Sequence, residues 1–324
     1  GMPLIQIKKM GFNITGYEIT YNFQYKFVKG ALELPTTVLN SVYILTYCYN
    51  DFLNNKYIDY ADDELIIEYA KSLTTDLSEV FLRIIKRNNW LDNKTKKCAL
   101  DKLKNITYNI GSKKIVDDGL YVKFEEVNPY NNLVKMGNAI VKKVIKQLGT
   151  KSIVLPSTLD WSHFPPKIVG NPSFLVNACY ILNQNQIDIP LGYLQYPFVS
   201  LKQRGIEYNL AHVGFTIAHE LSHALDDLGS KYDKNGKRVD WWTKKDKENF
   251  YKIQKDITEQ YDKFASYDDF DFDSTISIGE NLADISSLAI CVEYLRDFQV
   301  LNKYILPIQA ISFKTFFIYY AHQQ

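Results

Sequence analysis

Apolar positions recur at helical spacing in several stretches of this chain. Residues 62–86 place Leu65, Ile66, Tyr69, Leu73, Leu77, Phe81 and Ile84 near every third or fourth position, with Asp62 or Asp63 as the N-cap. The spacing predicts a second helix over 93–105. A third is predicted over 132–148, through Leu133, Met136, Ile140, Val144 and Leu148. Residues 211–228 are apolar at Val213, Phe215, Ile217, Leu221 and Leu225, as in a helix packed into a core. Strand signals are few: 152–155, and a Val-, Tyr- and Ile-rich region over 176–189 that Pro190 ends. Pro156, Pro165, Pro166 and Pro172 mark a loop-rich connection before that region. Residues 231–237 read as a turn with Asn235-Gly236 at its tip, leading to a helix that starts near Lys244. The pattern gives an α+β fold, mostly α-helical, with no internal repeat and no low-complexity linker.

Composition narrows the classes. At 324 residues and 46% hydrophobic, the chain can bury a substantial core, as one large domain or two lobes. A net charge of +1 gives no reason to expect nucleic acid or an anionic membrane as partner. The most apolar tail, residues 311–321, is too short to span a bilayer and is broken by Lys314. No signal peptide is visible at the start, and Gly1 before Met2 reads as the scar of a removed tag on a fragment. Cys48, Cys98, Cys179 and Cys291 show neither metal spacing nor a disulfide framework, which fits a reducing compartment without fixing one. Asn13, Asn93 and Asn105 begin N-x-[ST] triplets, which arise easily in an Asn-rich chain.

The chemistry concentrates in His219-Glu220-Leu221-Ser222-His223, which holds two of the chain's five histidines. On a helix, imidazoles four residues apart lie on one face, one turn apart, and can share a Zn²⁺. Glu220 lies beside such an ion rather than on it, placed to take a proton from the water it activates. A metzincin pattern is excluded, because Gly229 stands where that pattern has a third His. The remaining arrangement takes its third ligand from a distant helix. Gly279-Glu280-Asn281-Leu282-Ala283-Asp284 offers Glu280. Asp284, one turn further on the same face, can accept a hydrogen bond from the free N–H of a ligand His. Burying this set without a cation would be costly.

These residues resemble the neprilysin and endothelin-converting-enzyme family of zinc metallopeptidases. The run from His219 continues through Ala224-Leu225-Asp226-Asp227, Gly229, Asp233, Gly236 and Asp240-Trp241-Trp242, as the family pattern does. Upstream, Val176-Asn177-Ala178-Cys179-Tyr180 is similar to the family's V-N-A-x-Y segment. Asn185-Gln186-Ile187 and the run from Pro190 to Phe198 are similar to the family's N-x-I-x-x-P-x-G-x-L-Q-x-P-F. Trp90-Leu91-Asp92 with Thr95-Lys96-Lys97 resembles the helix start before the catalytic region.

The resemblance implies a thermolysin-like zincin domain of the Glu-zincin type, with a small sheet whose edge strand binds substrate. It implies one Zn²⁺ held by His219, His223 and Glu280, Glu220 as general base and Asp284 as the orienting carboxylate. Asn177 and the backbone of Ala178 would bind the substrate main chain, and Phe198 would line the pocket beside the cleavage point. An edge strand over 176–189 suits this, since its unpaired N–H and C=O groups can accept an extended peptide. Trp241 and Trp242 read as structural, and the acidic run 268–273 as a solvated loop.

Family members are longer at both ends, so residues 1–60 read as an amino-terminal remnant and 61–324 as a truncated catalytic domain. The family's oxyanion-stabilising His falls in a segment past the helix that carries Phe316, and His163, His212 and His322 do not match it. Losing an oxyanion donor costs about a hundred- to a thousandfold in rate. The expected function is a zinc-dependent metalloendopeptidase acting on peptide substrates, with the missing lobes of the longer protein as further partners. The alternative is a catalytically impaired peptidase-like module that binds zinc and peptides. An aminopeptidase would need an acidic anchor for a free amine, and none is identifiable.

Overall fold

The computed structural model describes residues 50–112, 123, 125, 128–149, 173–202, 204–267, 273–302 and 312–324. In chain order its elements are helices α1 (Asn50–Ala61), α2 (Glu64–Arg87) and α3 (Asn93–Lys104), strand β1 (Thr107–Ile110), helix α4 (Pro129–Gln147), and strands β2 (Cys179–Ile181) and β3 (Gln186–Ile189). Next come α5 (Ile206–Asn209), a π-helical turn (Leu210–Gly214), α6 (Phe215–Ser222), α7 (Lys244–Tyr267), α8 (Ile278–Leu301) and α9 (Phe313–Gln323). The chain divides into two units, residues 1–56 with 114–170, and residues 57–113 with 171–324.

In the first unit, α4 begins earlier than the 132–148 spacing predicts. Pro129 occupies its first turn, and the Asn128 side chain accepts the Asn131 N–H at 3.0 Å, which answers an otherwise orphaned donor. Leu148 is exposed. The side chains of Leu133, Met136, Ile140 and Val144, and the strand expected over 152–155, lie outside the described residues.

The second unit is built around α2, α6 and α8. Asp63, rather than Asp62, caps α2 by accepting the N–H groups of Leu65 and Ile66 at 3.1 and 3.3 Å. Glu64 in the first turn and Lys86 and Arg87 in the last complement the helix dipole. The buried stripe is Ala70, Leu73, Leu77, Val80, Phe81 and Ile85. Leu65, expected inside, is 68% exposed, because in the first turn Ile66 and Ile67 are the residues that face the core. Asp92 caps α3 through the Lys94 N–H at 2.8 Å, and α3 packs against α2.

The region 176–189 folds as a hairpin rather than a single strand. Asn185 takes the left-handed conformation at its turn (φ +50°), where Asn is one of the few side chains tolerated. Antiparallel pairing sets Tyr180 opposite Ile187, and β3 pairs in parallel with β1, with Tyr108 also opposite Ile187. The strand order is therefore β1-β3-β2, which leaves β2 at one edge of the described sheet. The core runs from the α2 stripe through Ile187 and Ile189 to Val213, Ile217, Leu221, Ile290, Leu295 and Phe316. No helix among the described residues is long and apolar enough to cross a membrane.

Candidate metal centre

The helix carrying His219 is held on its apolar face. Phe215, Ile217, Ala218 and Leu221 are buried, and α6 packs against α8 and α2. Gly214 ends the π-helical turn, packed against the Leu210 side chain. The helix stops at Ser222, six residues short of the 211–228 expected from the spacing, and His223 is its C-cap. Chain direction then reverses through 224–231, where Ser230 N–H bonds Asp226 O at 3.0 Å.

Three side chains converge here. His219 Nε2 lies 2.9 Å from His223 Nε2 and 3.0 Å from Glu280 Oε2, and the latter is 3.6 Å from His223 Nε2. Donors around a tetrahedral zinc stand about 3.3 Å apart when each bond is about 2.0–2.1 Å. The three separations bracket that value. Each imidazole turns its other nitrogen to a carboxylate: His219 Nδ1 to Asp284 Oδ1 at 2.8 Å, and His223 Nδ1 to Asp226 Oδ2 at 2.6 Å. Both rings therefore keep their proton on Nδ1 and aim the Nε2 lone pair at a common point with an anionic oxygen. Three donor atoms so close could hold a metal ion together, and this donor set fits Zn²⁺.

Asp226 is the partner that sequence reasoning passed over. Its Oδ1 accepts the N–H groups of Leu228 and Gly229 at 2.9 and 2.6 Å, while Oδ2 serves His223. It is buried, unlike Glu280, whose side chain is 66% exposed. The available signal was an Asp three residues after a ligand His, with Gly229 beyond.

Electrostatics reflect this wiring. Burial works against the imidazolium at His219, and Asp284 and Glu220 outweigh it, so its pKa is raised. His223 behaves alike, with burial opposed by Asp226 and Glu220. Glu220 is buried beside the ligands, and burial pushes its carboxyl up, while His223, His219 and the Tyr180 backbone pull it back.

A cleft of about 520 Å³ opens over these groups, with Asn177, Ala178, Tyr180 and Leu182 on one side and Ile276, Gly279 and Glu280 on the other. Asn177 is exposed at the approach to β2 and Ala178 is buried. Phe198 is not among the residues lining the cleft. It stacks on Tyr193 with ring centroids 4.5 Å apart, against the core. A larger hollow of about 670 Å³, walled by Trp242 and Phe250, is lined by neither histidine nor Glu280. Trp242 stacks on Phe250 (5.1 Å) and lies 6.2 Å from Trp90, tying the turn after the metal helix to the start of α3. His212 is buried, with Nδ1 2.8 Å from Tyr208 O. His163 and residues 268–272 lie outside the described residues.

Residues 177–323 match the model of peptidase family M13. Neutral endopeptidase of Lactobacillus helveticus is 29% identical over 82% of this chain, and human neprilysin 30% identical over 68%. The matched regions are 39% and 29% of those proteins, so the chain spans well under half the length of these curated relatives. Among solved structures, the Mycobacterium tuberculosis zinc metalloprotease Zmp1 bound to an inhibitor superposes with a TM-score of 0.70, covering 94% of this chain and 45% of Zmp1 at 23% identity. PepO of Lactobacillus rhamnosis gives 0.68, covering 91% of this chain and 44% of PepO at 24% identity. At those identities the superpositions establish the fold, an α-rich zincin with a small mixed sheet. With a family match that begins at Asn177 and relatives aligned over most of its length, this chain belongs to the neprilysin-like peptidase family M13.

Proposed function

We propose that this chain is the zinc-binding, peptide-hydrolysing part of a metalloendopeptidase acting on oligopeptides. The observation that carries this reading is the meeting of His219, His223 and Glu280, with Glu220 buried beside them and each imidazole backed by a carboxylate. One Zn²⁺ per chain would be held by those three residues. Bound there, zinc supplies Lewis acidity, polarising the scissile carbonyl and making water a stronger acid.

The chain's own groups do the rest. Glu220 takes a proton from the attacking water on its carboxylate and delivers it to the leaving nitrogen. The upward push of burial on its pKa suits a group that must hold that proton between the two steps. Asp284 and Asp226 keep the Nδ1 protons of His219 and His223 in place. Asn177 and the backbone of Ala178 hold the peptide as an added strand along the β2 edge. We assign the catalytic domain to residues 61–324 and an amino-terminal connection to 1–60.

Glu220→Gln should abolish chelator-sensitive cleavage of end-blocked oligopeptides while zinc content, read by elemental analysis, stays at one per chain. Cleavage that survives in the variant overturns the assignment. An unmodified chain that binds zinc and peptide without chelator-sensitive cleavage would be a binding module instead.

A further inference from the structure

Among the described residues, a single Lys or Arg side chain is buried: Lys102 on α3, at 1% exposure. Its Nζ donates to Gly229 O at 2.6 Å and Tyr232 O at 2.8 Å, two carbonyls of the turn after the metal helix. In the same turn, Gly229 N–H donates to Asp226 Oδ1 at 2.6 Å, and Asp226 Oδ2 holds His223 Nδ1. We propose that Lys102 is a positioning residue for the metal centre: its ammonium pins the 229–232 turn and so fixes the Asp226 carboxylate that orients His223. The inference rests on the reading of His219, His223 and Glu280 as zinc ligands.

The backbone of Lys102 extends the same brace to the substrate side. Lys102 O accepts Asn185 Nδ2 at 3.1 Å, and Asn185 Oδ1 accepts the Tyr180 hydroxyl at 2.6 Å. Tyr180, on β2, lines the same cleft as Glu220. One residue thus links the turn behind His223 to the strand beside the general base.

An ammonium is an expensive way to fill this space. Burying it is unfavourable unless charge and hydrogen bonds compensate, and the Asp226 and Asp233 carboxylates supply the charge. For packing alone, an apolar side chain of the same length would serve as well or better. What an apolar side chain lacks is the pair of donors that grip the turn.

The test uses the full chain and its Lys102→Met variant. Zinc affinity is read by chelator competition, His223 geometry by the visible spectrum of the cobalt-loaded protein, and stability by melting without metal. We expect zinc affinity about tenfold weaker, the lower end of what loss of an outer-shell partner costs, and altered cobalt bands. Asp226→Asn should weaken zinc less in the Lys102→Met background than in the unmodified chain, since the two act through one contact. Zinc affinity within twofold of the unmodified chain and an unchanged cobalt spectrum, with only the melting temperature lowered, would mean a merely structural role and overturn the proposal. If Lys102→Met does not fold, Lys102→Gln, which keeps a polar head without the charge, is put through the same measurements, and the same outcomes decide. The underlying assignment fails separately: an unmodified chain that binds no zinc, or a His219→Ala variant that binds it undiminished, removes the metal site itself.

Discussion

Asp226 and His223 lie three residues apart, and the Asp226 carboxylate accepts the His223 Nδ1 proton at 2.6 Å. The Asp226 carboxylate is held for this contact by the turn that follows α6, whose Leu228 and Gly229 N–H groups donate to its other oxygen. The contact mirrors the Asp284–His219 contact of 2.8 Å, which arrives from a different helix. Each of the two imidazoles is therefore held by its own acid.

Removing either acid should weaken zinc without removing a ligand. Asp226→Asn and Asp284→Asn are each expected to lower zinc affinity by about 10–100-fold, as loss of such partners typically does. Because they serve different imidazoles, the double variant should show close to the product of the two losses. Chelator competition measures this, and unchanged affinity in both single variants would contradict the wiring.

Gly229 is required by space rather than by dihedral angle. A Cβ there would stand 1.9 Å from His223 O and 2.8 Å from Ala224 O, both backbone atoms that cannot step aside alone. Gly229→Ala should therefore displace the turn that carries Asp226, costing about 1–3 kcal/mol or more and weakening zinc binding together with stability. Denaturant unfolding and zinc titration on the same sample check this. Normal values for both would show that the turn is looser than its geometry implies.

That His219, His223 and Glu280 come together matches the expectation from the sequence. His219 and His223 share a helix face whatever the tertiary context, and Glu280 is marked by the Asp284 one turn later. Asp226 was less legible, because its spacing from His223 is local but the Leu228 and Gly229 N–H groups that hold its carboxylate come from a turn, where the apolar pattern through Leu225 suggests more helix. Strand β1 was missed for a related reason. Thr107–Ile110 shows no alternation of buried and exposed positions, and it is a strand because β3, far away in sequence, pairs with it in parallel. Lys102 sits in a helix dense with lysines, and nothing in its own neighbourhood distinguishes the one that faces inward.

Asn185 holds the hairpin beside the cleft. It is fully buried with φ +50°, and its amide joins Tyr180 OH, Lys102 O and Lys234 O. Asn185→Ala should destabilise the protein by about 2–4 kcal/mol, through lost hydrogen bonds and groups left buried without partners. Asn185→Gly loses the same bonds but relieves the left-handed backbone, so it should be less damaging by about 1 kcal/mol. Equal stability of the two variants, measured by urea unfolding, would remove the backbone contribution from the account.

Lys102 also gives the stability of the fold a signature in pH. Burial pushes its ammonium down from 10.5 to about 8, with Asp226 and Asp233 pulling the other way. Between those two pH values the unfolded chain binds a proton that the folded chain has released, so unfolding free energy gains from Lys102 as pH rises through this window. The gain is complete above the unfolded value of 10.5 and is lost as pH falls through about 8. The shift corresponds to a difference on the order of 3 kcal/mol across the window. Other lysines and tyrosines titrate in the same range, so the observable is the difference between the unmodified chain and Lys102→Met, both without metal. Relative to the variant, the unmodified chain should become more stable from pH 8 to 10.5 by up to that amount. A pH-independent difference would mean that Lys102 keeps an ordinary pKa in the fold, its two carbonyl partners and nearby carboxylates having offset burial in full.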